Sequence, residues 1–124
     1  MESKMNMKKV FRAGLATFAA LCMTSAFAVG AIAVDDEEGE DEPGYGFSMG
    51  HDTKEEASKA AMRECKKAGN THCKVVVWFE SCGAYAASKK YYGVGWGANA
   101  AKATQMALDK CGNRGCKIKI AECE

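Results

Sequence analysis

The residues able to do chemistry are few, and each set suggests a different reaction. Cys82, followed by Gly83, with His51 and His72 elsewhere in the chain, has the makings of a Cys/His nucleophile, which needs a thiolate beside a base. His72-Cys73 with Cys65 offers three zinc ligands, but no C-x-x-C or H-x-x-x-H spacing completes a site. Asp52, Glu55, Glu56 and Glu80 supply carboxyls for a glycosidase-type pair. Against that, Glu55 and Glu56 suit the start of a helix. Asp35 to Glu42 carries seven acids without the D-x-D-x-D-G alternation of a dedicated calcium loop, and reads as a solvated hairpin loop or a surface for a basic partner. Lys89-Lys90-Tyr91-Tyr92 has the residue types for phosphate contact and base stacking, but no nucleic-acid motif accompanies it, and nucleic acid is not the expected partner.

The elements that must position these residues begin after an apparent leader. Residues 1–28 read as a signal peptide, and Met7 is an alternative start. Lys8, Lys9 and Arg12 precede an apolar run from Ala13 to Met23, and Ala26-Phe27-Ala28 gives a small-x-small cleavage pattern. The apolar run is short for a membrane anchor. Leu21 before Cys22 argues against a lipobox. Removal of the leader leaves Cys65, Cys73, Cys82, Cys111, Cys116 and Cys123 out of seven cysteines, an even set that reads as three disulfides in a secreted or periplasmic protein.

The chain has 124 residues, 48% hydrophobic and 27% charged, which excludes a large multidomain enzyme, a coiled coil and a polytopic membrane protein. The formal charge is +1, yet from Pro43 onward there are 13 basic and 8 acidic residues.

An internal repeat organises the rest. Gly30-Ala31-Ile32-Ala33-Val34 matches Gly83-Ala84-Tyr85-Ala86-Ala87. Gly44-Tyr45-Gly46-Phe47 is aligned with Gly93-Val94-Gly95-Trp96. Ala57, Ala61 and Cys65 match Ala103, Ala107 and Cys111, and Cys73 to Val77 matches Cys116 to Ile120. Because the repeat needs Gly30 to Val34 as structure, cleavage at the second small-residue pattern, Ala31-Ile32-Ala33, is rejected.

Each copy, 29–81 and 82–124, reads as strand, strand, helix, strand. Thr53 to Glu56 forms a capping box for the first helix, with Ala57, Ala60, Ala61, Cys65 and Ala68 on one face and Gly69-Asn70 as its stop. Asn99 caps the second helix and Gly112 ends it. The third strands are placed at His72 to Phe79 and Cys116 to Ala121. The expected fold is α+β: a duplicated unit with an antiparallel or mixed sheet and two helices on one face, stapled by disulfides. Six cysteines allow many pairings. Cys65–Cys73, Cys111–Cys116 and Cys82–Cys123 respect the repeat, the last joining the two copies, but at least one other scheme does too.

These motifs, from Gly30-Ala31-Ile32-Ala33 through Cys73-Lys74-Val75-Val76-Val77-Trp78-Phe79 and Cys82-Gly83-Ala84-Tyr85-Ala86 to Ala103–Cys111, together resemble a bacterial family catalogued as domain of unknown function 4189. The likeness covers nearly all of the chain after the leader. It implies a small exported protein with disulfides, and no reaction, cofactor or catalytic residue. The acidic run Asp35 to Glu42 departs from it.

The function expected is therefore binding without catalysis, by a monomer with no cofactor and no metal that does not sit on a membrane once its leader is gone. The partner is a protein or an envelope or host component, in an effector, inhibitor or immunity-type role. The alternative is a small cell-envelope hydrolase, for which His51 or His72 must meet Glu80 or Asp52 in a pocket. Candidate contact residues are Val76, Trp78, Lys89, Lys90, Tyr91 and Tyr92. Alternation along the third strand puts Val75, Val77 and Phe79 on the core face. Val76 and Trp78 then need cover, from Tyr45, Phe47, Tyr85 or Trp96, or form a binding patch. The acidic loop and Ser88 to Tyr92 fill equivalent places, so a charge dipole between them is expected to orient a partner.

Overall fold

A computed structural model describes residues 28–37, 39 and 41–124. The leader expected over residues 1–28, all but its last residue, lies outside them, as do Glu38 and Glu40. The elements are β1 (Val29–Asp35), β2 (Gly44–His51), α1 (Lys54–Lys67), β3 (Lys74–Phe79), β4 (Cys82–Ser88), β5 (Tyr91–Gly97), α2 (Ala100–Cys111) and β6 (Lys117–Cys123).

The strands form two antiparallel sheets, ordered β2-β1-β3 and β5-β4-β6. The α+β class and the repeated strand-strand-helix-strand order hold. In detail, each copy builds its own sheet with its helix on one face, and the opposite faces of the two sheets meet. All seven residues of β1 and all seven of β4 are buried, so each central strand needs cover on both sides. Ala31 and Ala33 pack on Ala57, Ala61 and Cys65 of α1. Ala84 and Ala86 pack on Ala103, Ala107 and Cys111 of α2. Between the sheets lie Ile32, Val34, Val77, Phe79, Tyr85, Ala87 and Val94. Bulk is concentrated between the sheets, while alanine lets the helices lie close.

The caps form as the residue types predict. Thr53 Oγ1 accepts from Glu56 N at 3.1 Å, and Asn99 Oδ1 from Lys102 N at 2.9 Å. Gly112, at φ 65°, ends α2 in the left-handed region that glycine enters without strain.

Two register expectations are corrected. Gly46 pairs with Ala33, and Gly93 with the equivalent Ala86, so Gly46 corresponds to Gly93 and not to Gly95. A Cβ at Gly46 would stand 2.1 Å from the Ala61 carbonyl oxygen, and one at Gly93 2.2 Å from that of Ala107. The match follows helix contact, not the Gly-x-Gly pattern. The β1–β3 register also shifts between Ile32 and Ala33, whose partners are Val77 and Val75. This bulge breaks the period of two. Val75 therefore packs in the α1 layer and Val77 between the sheets. The same shift in β4–β6 sends Ile118 to the α2 layer and Ile120 inward.

The disulfides are Cys65–Cys73, Cys82–Cys123 and Cys111–Cys116. Cys82 and Cys123 are directly paired residues of β4 and β6, so their bridge closes the second sheet and does not join the copies.

Candidate functional site

Exposed large apolar side chains mark two regions. Trp78 is 45% exposed, Trp96 41% and Tyr91 47%. Trp78 pairs with Ala31 near the start of β1, and Trp96 with Gly83 near the start of β4. Both tryptophans therefore stand at the end of the sheets where β3 turns into β4, and they line one cleft of about 340 Å3. Lys54 from the first turn of α1 and Glu80-Ser81 from the β3–β4 turn complete its rim, and Phe79 forms part of its wall.

Each indole is held without being covered. Trp78 Nε1 donates to Ser58 Oγ at 2.7 Å, and Lys54 Nζ lies 5.3 Å from its ring centroid. Lys110 Nζ lies 5.3 Å from the Trp96 centroid. A cation near an aromatic ring adds roughly 0.5–1 kcal/mol at exposed sites. The cleft thus offers two anchored aromatic surfaces with a cation, a carboxylate and a hydroxyl between them, which suits recognition of a partner with both apolar and polar groups.

Of the expected contact residues, the structure puts Trp78 in this cleft and leaves Val76 out. Val76 is half-buried against the inter-sheet core. Trp96 joins Trp78, whereas Tyr45, Phe47 and Tyr85 pack between the sheets. Lys89, Lys90 and Tyr91 are exposed at the β4–β5 turn, the opposite end of the sheets. Tyr92 is half-buried, its ring centroid 6.2 Å from that of Tyr85. Lys54, Glu80, Ser81 and Trp96 were not legible as one site, because packing of α1 on the first sheet brings Lys54 over Trp78 and only the packing of the two copies adds Trp96.

The other chemical sets take other places. Cys82 is bonded to Cys123, so it presents no thiolate. Cys65 and Cys73 are bonded to each other, which leaves the set with His72 without thiolates. His72 Nδ1 and Thr71 Oγ1 are 3.0 Å apart. Glu80 lines the tryptophan cleft, and neither histidine does.

The charged hairpin loops correct the dipole expectation. They sit at one end of the molecule and touch: Lys90 N donates to the Asp41 carbonyl at 3.4 Å. Glu42 pairs with Lys119 at 3.1 Å and Asp36 with Lys74 at 3.5 Å. Acids and bases interleave there instead of standing apart. Asp35 does not belong to the solvated run at all. It is fully buried, and its carboxylate accepts from Thr71 N at 3.1 Å, His72 N at 3.0 Å and Glu37 N at 3.0 Å.

Tyr85, also fully buried, donates its hydroxyl to the Pro43 carbonyl at 2.6 Å and stacks on Tyr45 with centroids 4.5 Å apart. Burial, with the Glu42 carboxylate adding to it, pushes the phenol above the ordinary tyrosine range.

Among the described residues no helix is long and apolar enough to cross a membrane. Residues 29–123 match the family model described as Domain of unknown function (DUF4189). No curated protein and no solved structure matches the chain.

Proposed function

The chain belongs to the DUF4189 family, and from that premise, which brings no reaction with it, we propose that it is a small disulfide-stabilised binding protein whose partner is held in the Trp78–Trp96 cleft. The observation that carries this reading is the placement of two anchored, half-exposed tryptophans on one cleft. Leaving that much indole in water costs hydrophobic free energy that a partner recovers. The binding reading is favoured over a hydrolase because neither histidine is among the residues that line the cleft with Glu80. The partner is a protein or an envelope or host component. Secretion or transfer to a periplasm belongs to the same reading, since three disulfides persist in an oxidising compartment.

The test is capture of partners from the exporting cell's own periplasm or medium. It compares the unaltered protein with Trp78→Ala and Trp96→Ala, each checked for an intact fold by circular dichroism. Loss of the captured partner with both folded variants is expected. A partner retained equally by both overturns the assignment of the cleft. Hydrolysis of an envelope polymer that disappears with Glu80→Gln would replace binding by the hydrolase.

A further inference from the structure

The end opposite the tryptophans holds a hollow of about 470 Å3 lined by Lys89, Lys117, Lys119, Ser88, Asn113 and Glu42. Three ammonium groups and one carboxylate share it. Glu42 is bound to Lys119. No carboxylate among the described residues lies within ion-pair distance of Lys89 or Lys117.

The first copy shows what the corresponding place does when it is complete. Asp35 and Ser88 end the two central strands at equivalent positions, and both are buried. In the first copy the Asp35 carboxylate caps the loop between α1 and β3, and Asp36 neutralises Lys74. In the second copy the equivalent residue is Ser88, beside Cys116 Sγ at 3.7 Å, and the uncharged Asn113 Oδ1 accepts from Gly115 N at 2.8 Å, so among the described residues no carboxylate caps the corresponding loop. Lys117 stands where the first copy has Lys74, and Lys119 where it has Val76, each pair following the same register shift. An acid has been removed and a lysine added around one hollow.

We infer that this hollow is a binding site for a phosphate-class oxyanion from outside the chain, which supplies there the negative charge that Asp35 and Asp36 supply in the first copy. Lys89 and Lys117 supply the charge, and ammonium groups serve phosphate as point charges. The Ser88 hydroxyl and the Asn113 amide are the polar groups within the hollow. Glu42, on Lys119, is the internal competitor. The site is independent of the tryptophan cleft, at the other end of the sheets.

Titration calorimetry of the full domain with tripolyphosphate at low salt tests the site. Saturable binding is expected, weakened about tenfold or more by Lys117→Gln and by Lys89→Gln, strengthened by Glu42→Gln and unchanged by Trp78→Ala. Ser88→Asp restores an internal carboxylate and is expected to abolish binding. Lys59→Gln and Lys102→Gln, on the exposed helix surfaces, are expected to leave it unaltered. Phosphatidylglycerol vesicles form a second arm. Lysine-dependent binding to the vesicles as well places the phosphate on a lipid surface, and binding to tripolyphosphate alone places it on a soluble molecule. The proposal is overturned by the absence of saturable binding in both arms, or by control substitutions that weaken it as much as Lys117→Gln does.

Discussion

The ring of Phe79 lies against Gly83, so that a Cβ built on Gly83 would stand 2.5 Å from Phe79 Cε1. The same ring meets Gly30, whose Cβ would be 2.3 Å from Cζ. Gly30 and Gly83 are the matching residues of the two central strands, so one side chain fills the hollow over both. Gly30 pairs with Phe79, while Gly83 pairs with the exposed Glu122. The duplication breaks here because the inter-sheet space admits one ring. Gly83→Ala is expected to lower stability by roughly 1–3 kcal/mol through overpacking. A Gly83→Ala/Phe79→Leu double mutant should show a coupling of at least about 0.5 kcal/mol in urea unfolding. Gly30→Ala should not be rescued in this way, since its Cβ also meets the Ser48 carbonyl at 2.6 Å.

Asp35 fixes the loop that leads into β3. The backbone N–H groups of Thr71, His72 and Glu37 lose a charged acceptor when the carboxylate is removed, and a hydrogen bond to a charged group contributes about 1.5–3 kcal/mol. Asp35→Ala should therefore destabilise by at least that much. Asp35→Asn, which presents an N–H₂ toward some of those donors, should also destabilise. Native-state hydrogen exchange should report the loss locally, with faster exchange at Thr71 and His72 than at β4 amides.

The three disulfides should contribute unequally. Cys82 and Cys123 are 41 residues apart, Cys65 and Cys73 are 8 apart, and Cys111 and Cys116 are 5 apart. Loop-closure entropy gives about 4, 2.5 and 2 kcal/mol in that order. Paired Cys→Ala variants should therefore rank with the Cys82–Cys123 deletion as the most destabilised. Equal losses from all three would show that native contacts, and not the unfolded chain, set their contributions.

The elements, their caps and the cysteine pairs were legible because each rests on local pattern: alanine at helical spacing, Thr53 and Asn99 before it, Cys65 and Cys111 at the helix ends. What failed was register. Gly44-Tyr45-Gly46 and Gly93-Val94-Gly95 look alike, but the helix backbone touches Gly46 and Gly93. Ser48 takes the place of Gly95, with its hydroxyl donating to the Ala57 carbonyl at 2.7 Å. A bulge of one residue moved Val75 to the helix side, and strand alternation cannot reveal it. Trp78 stood out as an apolar residue on a face carrying lysines. Lys54 joins it through the packing of α1 on its own sheet, and Trp96 only through packing between the copies. Asp35 was hidden inside a run of acids whose other described members are exposed.

Tyr85 ties the fold to alkaline pH. Its hydroxyl is buried and donates to the Pro43 carbonyl, and its folded pKa lies above the ordinary value of 10.0. The unfolded chain therefore releases this proton first as pH rises. Below about pH 10 both states hold the proton and the group adds no pH dependence. Above it the unfolded state binds fewer protons, so stability falls by up to about 1.4 kcal/mol per pH unit until the folded phenol also ionises. Urea midpoints measured from pH 8 to 11.5 should be flat with respect to this group and then decline above about pH 10. Tyr85→Phe removes this contribution together with the bond to Pro43, so it should be less stable at pH 8 and lose less further stability above pH 10. A decline of equal slope in Tyr85→Phe would assign the alkaline loss to other groups.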